Sequence, residues 1–199
     1  MKNIVIILDP AHGSNVKGKC SPNHIHKEYI WSRERVKNIK TLLLSRGYRV
    51  FTTTESEEEP GLTKRKNYAT QICKGSKKLL LSLHNNAAGS DGKWHSAQGV
   101  CVFTTKGVTR SDRCAQIILD RFEKDFPEIH IRRYLREDLY EDFEENFTVL
   151  TGSSYMACLV EWLFQDNMED YERLKDPKMN SRFETSLVEA IEEINNYFG

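Results

Sequence analysis

The sequence predicts a single α/β domain built on one mainly parallel, twisted sheet that helices flank. Short apolar runs rich in β-branched residues alternate along the chain with longer segments whose apolar residues recur at helical spacing. The first run, residues 4–8 (IVIIL), is apolar at every position, as expected of a central strand buried on both faces. A length of 199 residues suits one such domain, and no repeat or linker divides the chain. We therefore expect one domain over residues 1–199.

Strands and helices are expected in alternation. The predicted strands are residues 4–8, 49–53, 78–83, 99–104 and 156–160. The predicted helices are residues 28–46, 62–74, 111–125, 167–174 and 181–198. Gly47 follows the first helix, and glycine favours the turn after a helix C-terminus. Residues 127–147 mix acidic, aromatic and basic side chains with weak periodicity, so no regular element is predicted there.

The charge balance argues against a nucleic-acid-binding protein. Lys plus Arg number 29, as do Asp plus Glu, so the chain lacks the basic excess of a protein that binds phosphate backbones. No stretch approaches the length of a membrane span, and the apolar N-terminal run ends at Asp9, too early for a signal peptide. The expectation is a protein synthesised in the cytoplasm. Its five cysteines show no close CxxC spacing and are predicted to be reduced thiols.

Three residues that can carry chemistry follow predicted strands. His12 follows the first strand, His84 the third, and Glu161 the strand that ends at residue 160. In an open α/β sheet, sites form beyond the carboxyl ends of the strands, so these side chains are expected at one rim. Glu28 opens the first helix and can reach the same rim from the side.

Two imidazoles and one carboxylate are a ligand set typical of catalytic zinc, which keeps one position for water or substrate. A second carboxylate that does not bind the metal can accept a proton from the water and return it to the leaving group. Glu161 suits that second role, because it follows a dry strand that raises the pKa of a carboxylate. The spacing alone leaves the ligand assignment weak, since no compact motif such as HExxH is present.

Several segments, in order along the chain, resemble the zinc-dependent N-acetylmuramoyl-L-alanine amidases of type 3. The segment IVIILDPAHGS resembles the family's opening strand and its Asp-Pro-Gly-His-Gly-Gly loop, with Ala11 and Ser14 where glycine is usual. The segment KEYIWSRERVKNIKTLLLSRGYRVFTT resembles the block in which a Glu opens a helix. The segments GLTKRKNYA, LLLSLHNNAA and GVCVF resemble the following helix and strands. The segment LVEWLFQDNMEDYERLKD resembles the block Leu-Val-Glu-x-x-Phe-x-x-Asn-x-x-Asp.

The resemblance implies a zinc-peptidase-like fold with Zn²⁺ on His12, Glu28 and His84 and with Glu161 as the catalytic carboxylate. It implies a peptidoglycan hydrolase that cleaves the amide bond between N-acetylmuramic acid and L-alanine. The muropeptide is then the binding partner, and the cell wall is the place of action after release or lysis. A phage or prophage endolysin would fit these expectations. Substrate contacts are expected between Gly99 and Val160, the stretch least similar to the family.

Three other interpretations stay open from the residues. A zinc carboxypeptidase or another peptide amidase could use the same fold and ligands. An inactive wall-binding module could retain the fold without the chemistry, and a cysteine hydrolase is a weaker alternative because no cysteine opens a nucleophile-like turn. His24 and His26 lie just before Glu28 and could replace a ligand, although their position favours surface loop residues.

Overall fold

A six-stranded sheet organises the described part of the chain, which covers residues 2–136, 138–152 and 154–199 of the computed structural model. The strands are β1 (Val5–Pro10), β2 (Val50–Thr52), β3 (Lys78–Asn86), β4 (Val100–Thr104), β5 (Phe143–Glu144) and β6 (Met156–Phe164). Their spatial order is β2-β1-β3-β6-β4-β5. The helices are α1 (Glu28–Ser45), α2 (Leu62–Gln71), α3 (Arg110–Asp125), α4 (Met168–Lys175) and α5 (Pro177–Phe198).

The mainly parallel sheet predicted from the sequence is confirmed. Strands β2, β1, β3 and β6 are mutually parallel, which places their carboxyl ends at one rim. Strand β4 pairs antiparallel with β6, and β5 pairs parallel with β4 at the edge. The predicted strands correspond to β1–β4 and β6, with β1, β3 and β6 running two to four residues further than expected. The short strand β5 lies in the 127–147 stretch, where no element was predicted.

Two apolar layers cover the faces of the sheet. The larger layer packs α1, α3, α4 and α5 against one face, and Trp162 stacks on Phe183 there with ring centroids 4.5 Å apart. The smaller layer packs α2 together with Val149, Leu150 and Tyr155 against the other face, around Ile7 and Leu80. Residues 5–8 of β1 and 79–81 of β3 therefore lose contact with water on both sides, which explains why these runs are apolar throughout.

The last helix begins earlier than its periodicity indicated. Asp176 accepts a hydrogen bond from the backbone of Lys178, and Pro177 occupies the first helical position. An aspartate before a proline is a strong helix start, because it satisfies a free N–H and the proline lacks one. None of the helices in the described residues is both long and apolar enough to span a bilayer. All five cysteines are free, as predicted.

Candidate metal centre and active-site groove

His12 lies two residues after β1 in a left-handed backbone conformation with φ of 45°. This conformation is uncommon for a residue with a side chain, so the surrounding structure must hold it. Two guanidinium groups do so by donating to the carbonyl oxygen of His12, from Arg33 at 2.8 Å and from Arg65 at 2.9 Å. The next residue, Gly13, has no room for a side chain, because a Cβ there would lie 2.0 Å from the backbone nitrogen of Glu59.

Glu28 is the first residue of α1 and is almost completely buried. Its Oε1 atom lies 3.0 Å from Nδ1 of His84 and 3.4 Å from Nε2 of His12, and it accepts the backbone N–H of Asn85 at 3.1 Å. Burial alone would raise the pKa of Glu28, but the hydrogen bonds from His12 and His84 hold that pKa well below its usual value. The carboxylate is therefore ionised, as a metal ligand must be.

His84 lies inside β3, two residues before the end of the strand, and a polar chain fixes its ring. Its Nε2 atom lies 3.1 Å from Oγ of Ser82, and that hydroxyl donates to Oδ2 of Asp9 at 2.6 Å. Because the hydroxyl proton goes to the carboxylate, Oγ accepts from Nε2–H, which leaves Nδ1 as the atom that can bind a metal. Burial works to lower the pKa of His84, but the hydrogen bond to Glu28 and its charge raise it. Asp9 therefore supports the ligand His84 indirectly, through Ser82.

The three side chains form a group whose geometry suits zinc. Each offers a ligand atom, and these atoms lie within 4.8 Å of one another. Donor atoms about 2.1 Å from a tetrahedral ion are separated by about 3.4 Å, which agrees with the two distances from Oε1 of Glu28, 3.0 and 3.4 Å. Two imidazole nitrogens and one carboxylate oxygen match the donors that zinc prefers in hydrolytic sites. The residues present fit this ion.

Glu161 stands beside the group on the neighbouring strand β6. Its Cα is the direct partner of the Cα of His84 across the parallel strands. Burial raises the pKa of Glu161 to about 7; the charge of His84 lowers the pKa, the charge of Glu28 raises it, and Lys19 lowers it. The Oε2 atom is buried and has no hydrogen-bond partner among the described residues. A carboxyl group with such a pKa can both accept and release a proton near neutrality.

A groove of about 580 Å³ opens over these side chains. Its lining includes His12, Glu28, His84 and Glu161, together with Gln165. Further lining residues come from residues 16–19, residues 59–65 and residues 146–149. The last of these belongs to the stretch between Gly99 and Val160 where substrate contacts were expected. The predicted ligands and the predicted catalytic carboxylate therefore share one groove at the carboxyl rim of the sheet.

Some local expectations need correction. His26 is buried rather than on the surface, because its Nε2 atom lies 2.8 Å from Oδ1 of Asn85. Burial lowers its pKa despite that hydrogen bond. His24 is exposed, as expected, and neither residue belongs to the metal group. The sequence did not predict that the amide of Gln165 donates to Glu28. It also did not predict the contact of Arg33 with the metal loop, which we define as residues 10–14. The contact between Arg33 and the loop depends on tertiary packing, so no local sequence pattern predicts it.

The model of the N-acetylmuramoyl-L-alanine amidase family matches residues 6–193. The chain belongs to this family, as the order and the content of its sequence blocks predicted. The match includes all four rim residues described above.

Relatives of known structure and a curated relative agree with this assignment. The probable cell wall amidase LytH of Staphylococcus saprophyticus is 26% identical over 192 residues, which are 96% of this chain and 58% of LytH. The chain thus spans a little more than half the length of that relative. An N-acetylmuramoyl-L-alanine amidase from Clostridium difficile has the same fold, with a TM-score of 0.85, 20% identity and complete coverage of both chains. The CwlD amidase of Clostridioides difficile, solved in complex with the GerS lipoprotein, gives a TM-score of 0.84 at 17% identity, covering 98% of this chain and all of CwlD.

Proposed function

We propose that this chain is a zinc-dependent N-acetylmuramoyl-L-alanine amidase that hydrolyses the amide bond between N-acetylmuramic acid and L-alanine in peptidoglycan. The observation that carries the proposal is the convergence of ligand atoms from His12, Glu28 and His84 to within 4.8 Å, in a chain of this amidase family. In this proposal the three residues hold Zn²⁺ and Glu161 acts as general base and general acid. When bound there, zinc supplies Lewis-acid polarisation of the scissile carbonyl and makes water more acidic.

The residues of the chain divide the remaining work. The hydrogen bond from Nε2 of His84 to Ser82 holds the imidazole with Nδ1 toward Glu28, so the ligand geometry exists before a metal arrives. Glu161 takes a proton from the attacking water and passes it to the nitrogen of the departing L-alanine. Its pKa of about 7 suits both transfers at neutral pH. The carboxyl group loses no net proton over the cycle, and the bond that breaks is the amide C–N bond.

Product analysis on purified peptidoglycan tests the reaction. The enzyme loaded with zinc is expected to release free amino groups on L-alanine and to leave the glycan strands intact, and a chelator should stop the release. Release of C-terminal amino acids instead would support the carboxypeptidase alternative. Binding to the wall material without any product, at full zinc occupancy, would support an inactive wall-binding module.

Replacement of Glu161 separates proton transfer from metal binding. Glu161→Gln is expected to lower the rate of amide cleavage by about 10²–10⁴-fold, while zinc content stays near one ion per chain. Glu144→Gln is a matched control, because Glu144 lies on the edge strand β5 and outside the groove. A Glu161→Gln enzyme that cleaves at a rate near the wild type would overturn the role assigned to Glu161.

The cell wall is the proposed place of action, and a phage or prophage endolysin is the setting we propose for it. Its support is indirect: the catalytic domain of the CD27L endolysin, which targets Clostridia difficile, has the same fold, with a TM-score of 0.65 and 17% identity. Purified protein added from outside should lyse susceptible cells if the groove accepts intact wall. Absence of lysis together with cleavage of purified peptidoglycan would contradict the endolysin setting and leave the amidase reaction intact.

A further inference from the structure

Gln165 is a buried residue whose side-chain amide contacts Glu28, one of the three residues of the metal group. Its side chain is 2% exposed, and its Nε2 atom donates to Oε2 of Glu28 at 3.2 Å. From this contact we infer that Gln165 is a positioning residue, which fixes Glu28 so that only Oε1 of its carboxylate faces the metal. The inference rests on the proposed zinc site and concerns how tightly that site holds its ion.

The two oxygen atoms of Glu28 have separate surroundings. Oε1 faces both imidazoles and accepts the backbone N–H of Asn85. Oε2 accepts the amide of Gln165. These hydrogen bonds favour the carboxylate orientation in which Oε1, and not both oxygens, faces the ion. Because a carboxylate that ligates through one oxygen leaves the other for an outer partner, such a partner sets ligand orientation and metal affinity.

The opposite end of the amide indicates that Gln165 is kept for its donor. Its Oε1 atom is buried and has no hydrogen-bond partner among the described residues. A buried acceptor without a partner is unfavourable for folding. An apolar side chain of the same size would avoid that penalty, so a purely structural role does not account for a glutamine at this position. The hydrogen bond to the ionised Glu28 does account for it, since hydrogen bonds to charged groups are the stronger ones.

An irregularity in β6 brings Gln165 to this place. Leu163 has φ of 62°, and the consecutive residues Trp162 and Leu163 both pack in the larger apolar layer. The alternation of side chains along β6 is therefore broken at Leu163. Beyond the break, the backbone N–H of Gln165 donates to the carbonyl of Asn86 at 2.9 Å, which anchors the residue beside the end of β3.

Zinc affinity is the measurement that tests the inference, because it does not require catalysis. Gln165→Met keeps the length of the side chain and removes the donor. Competition with a chromophoric chelator is expected to show zinc binding weakened by about 10–100-fold relative to the wild type. The unfolding temperature of the zinc-free variant should stay close to that of the zinc-free wild type, because the lost hydrogen bond to Oε2 of Glu28 is offset by removal of the unpartnered oxygen. The increase in unfolding temperature on adding zinc should be smaller than in the wild type.

Asp166→Asn is the matched control. Asp166 is the next buried polar residue, and its carboxylate accepts from the backbone of Ala88 and Gly89 rather than from a ligand. The zinc affinity of Asp166→Asn is expected to lie within twofold of that of the wild type. If Gln165→Met does not fold, Gln165→Leu provides the same comparison. Unchanged zinc affinity in a folded Gln165 variant would overturn the positioning role, whereas a wild-type chain that binds no zinc would overturn the proposed metal site itself.

Discussion

Two arginines, one buried and one partly buried, lie at the centres of ion-pair networks on different parts of the sheet, and only one of the networks touches the groove. Arg65, on α2, is 1% exposed. It pairs with Asp9 and Glu59 at 2.8 Å each and also donates to the backbone carbonyls of Pro10 and His12. Two carboxylates therefore share its single positive charge, and its remaining donors hold the loop that carries a metal ligand.

Arg136 lies beside the edge strands β4 and β5, and among the described residues its side chain pairs only with carboxylates. It pairs with four of them at 2.5–3.7 Å: Asp112, Asp138, Asp142 and Glu144. Negative charge is in excess, and burial raises the pKa of Asp142 to about 6. Neither Arg136 nor any of the four acids lines the groove. The comparison indicates that Arg65 positions a ligand because its guanidinium donates to the backbone of the metal loop. Arg136 has no such contact, and its ion pairs connect segments at the edge of the sheet.

Removal of the Arg65 guanidinium should have the largest effect. Arg65→Met leaves Asp9 buried without its cation, which costs about 3–5 kcal/mol of the free energy of unfolding. It also removes one of the two hydrogen bonds to the carbonyl of His12, so zinc affinity should fall together with stability. Urea unfolding and chelator competition measure the two effects. Arg136→Met is the matched control: it should also destabilise the protein, but zinc affinity should stay within twofold of the wild type. Equal losses of zinc affinity in both variants would contradict the division between the networks.

Most of the fold could be predicted from the sequence because its strongest signals are local. The continuous apolar runs of β1, β3 and β6 identify buried parallel strands, and the strand ends place His12, His84 and Glu161 near one rim. The edge strand β5 was harder to predict, because it contains only two residues and shows no periodic pattern. An ion pair between its residue Glu144 and Arg136 helps to hold it in place. The orientation of β4 depends on which strand it meets, and that choice is made by tertiary packing.

The supporting residues of the site could not be predicted in the same way. Gln165 reaches Glu28 only because Leu163 adopts a left-handed conformation, which leucine seldom does. The ring of His26 is buried against β3, where its Nε2 atom lies 2.8 Å from Oδ1 of Asn85. Such contacts join residues 59 or 137 positions apart in the chain. No local pattern in a single sequence links residues that are so far apart.

A second arginine, Arg33, shows which part of the Arg65 network matters for the metal. It donates to the carbonyls of Ala11 and His12 at 3.0 and 2.8 Å, and it is only partly buried. Because these are charge-assisted hydrogen bonds at the surface, Arg33→Met should cost about 1–2 kcal/mol of the free energy of unfolding. If the hold on the His12 carbonyl sets the ligand position, zinc affinity should still fall several-fold. Zinc affinity unchanged in Arg33→Met but reduced in Arg65→Met would assign the effect to the ion pair with Asp9 instead.

The excess of acid around Arg136 should appear as a pH dependence of stability. The pKa of Asp142 is raised in the folded protein, so at pH 5 the folded chain holds a proton that the unfolded chain has lost. Stability from this group therefore increases as the pH falls through about 6, by about 1 kcal/mol between pH 7 and pH 5. Asp142→Asn removes that increase, so the difference in free energy of unfolding between wild type and variant should change by this amount.

Asp138 provides a control, because it pairs with the same arginine but its pKa is shifted in the opposite direction. The hydrogen bond from Arg136 lowers the pKa of Asp138, so its contribution to stability is lost only at pH values below its ordinary pKa. The difference between wild type and Asp138→Asn should therefore stay constant from pH 7 to pH 5, while the difference for Asp142→Asn changes. If both differences stayed constant, Asp142 would be ionised throughout, and one guanidinium would be sufficient for all four carboxylates. The excess of acid around Arg136 would then have no effect on stability, and the contacts of Arg65 with the metal loop would remain the main difference between the two networks.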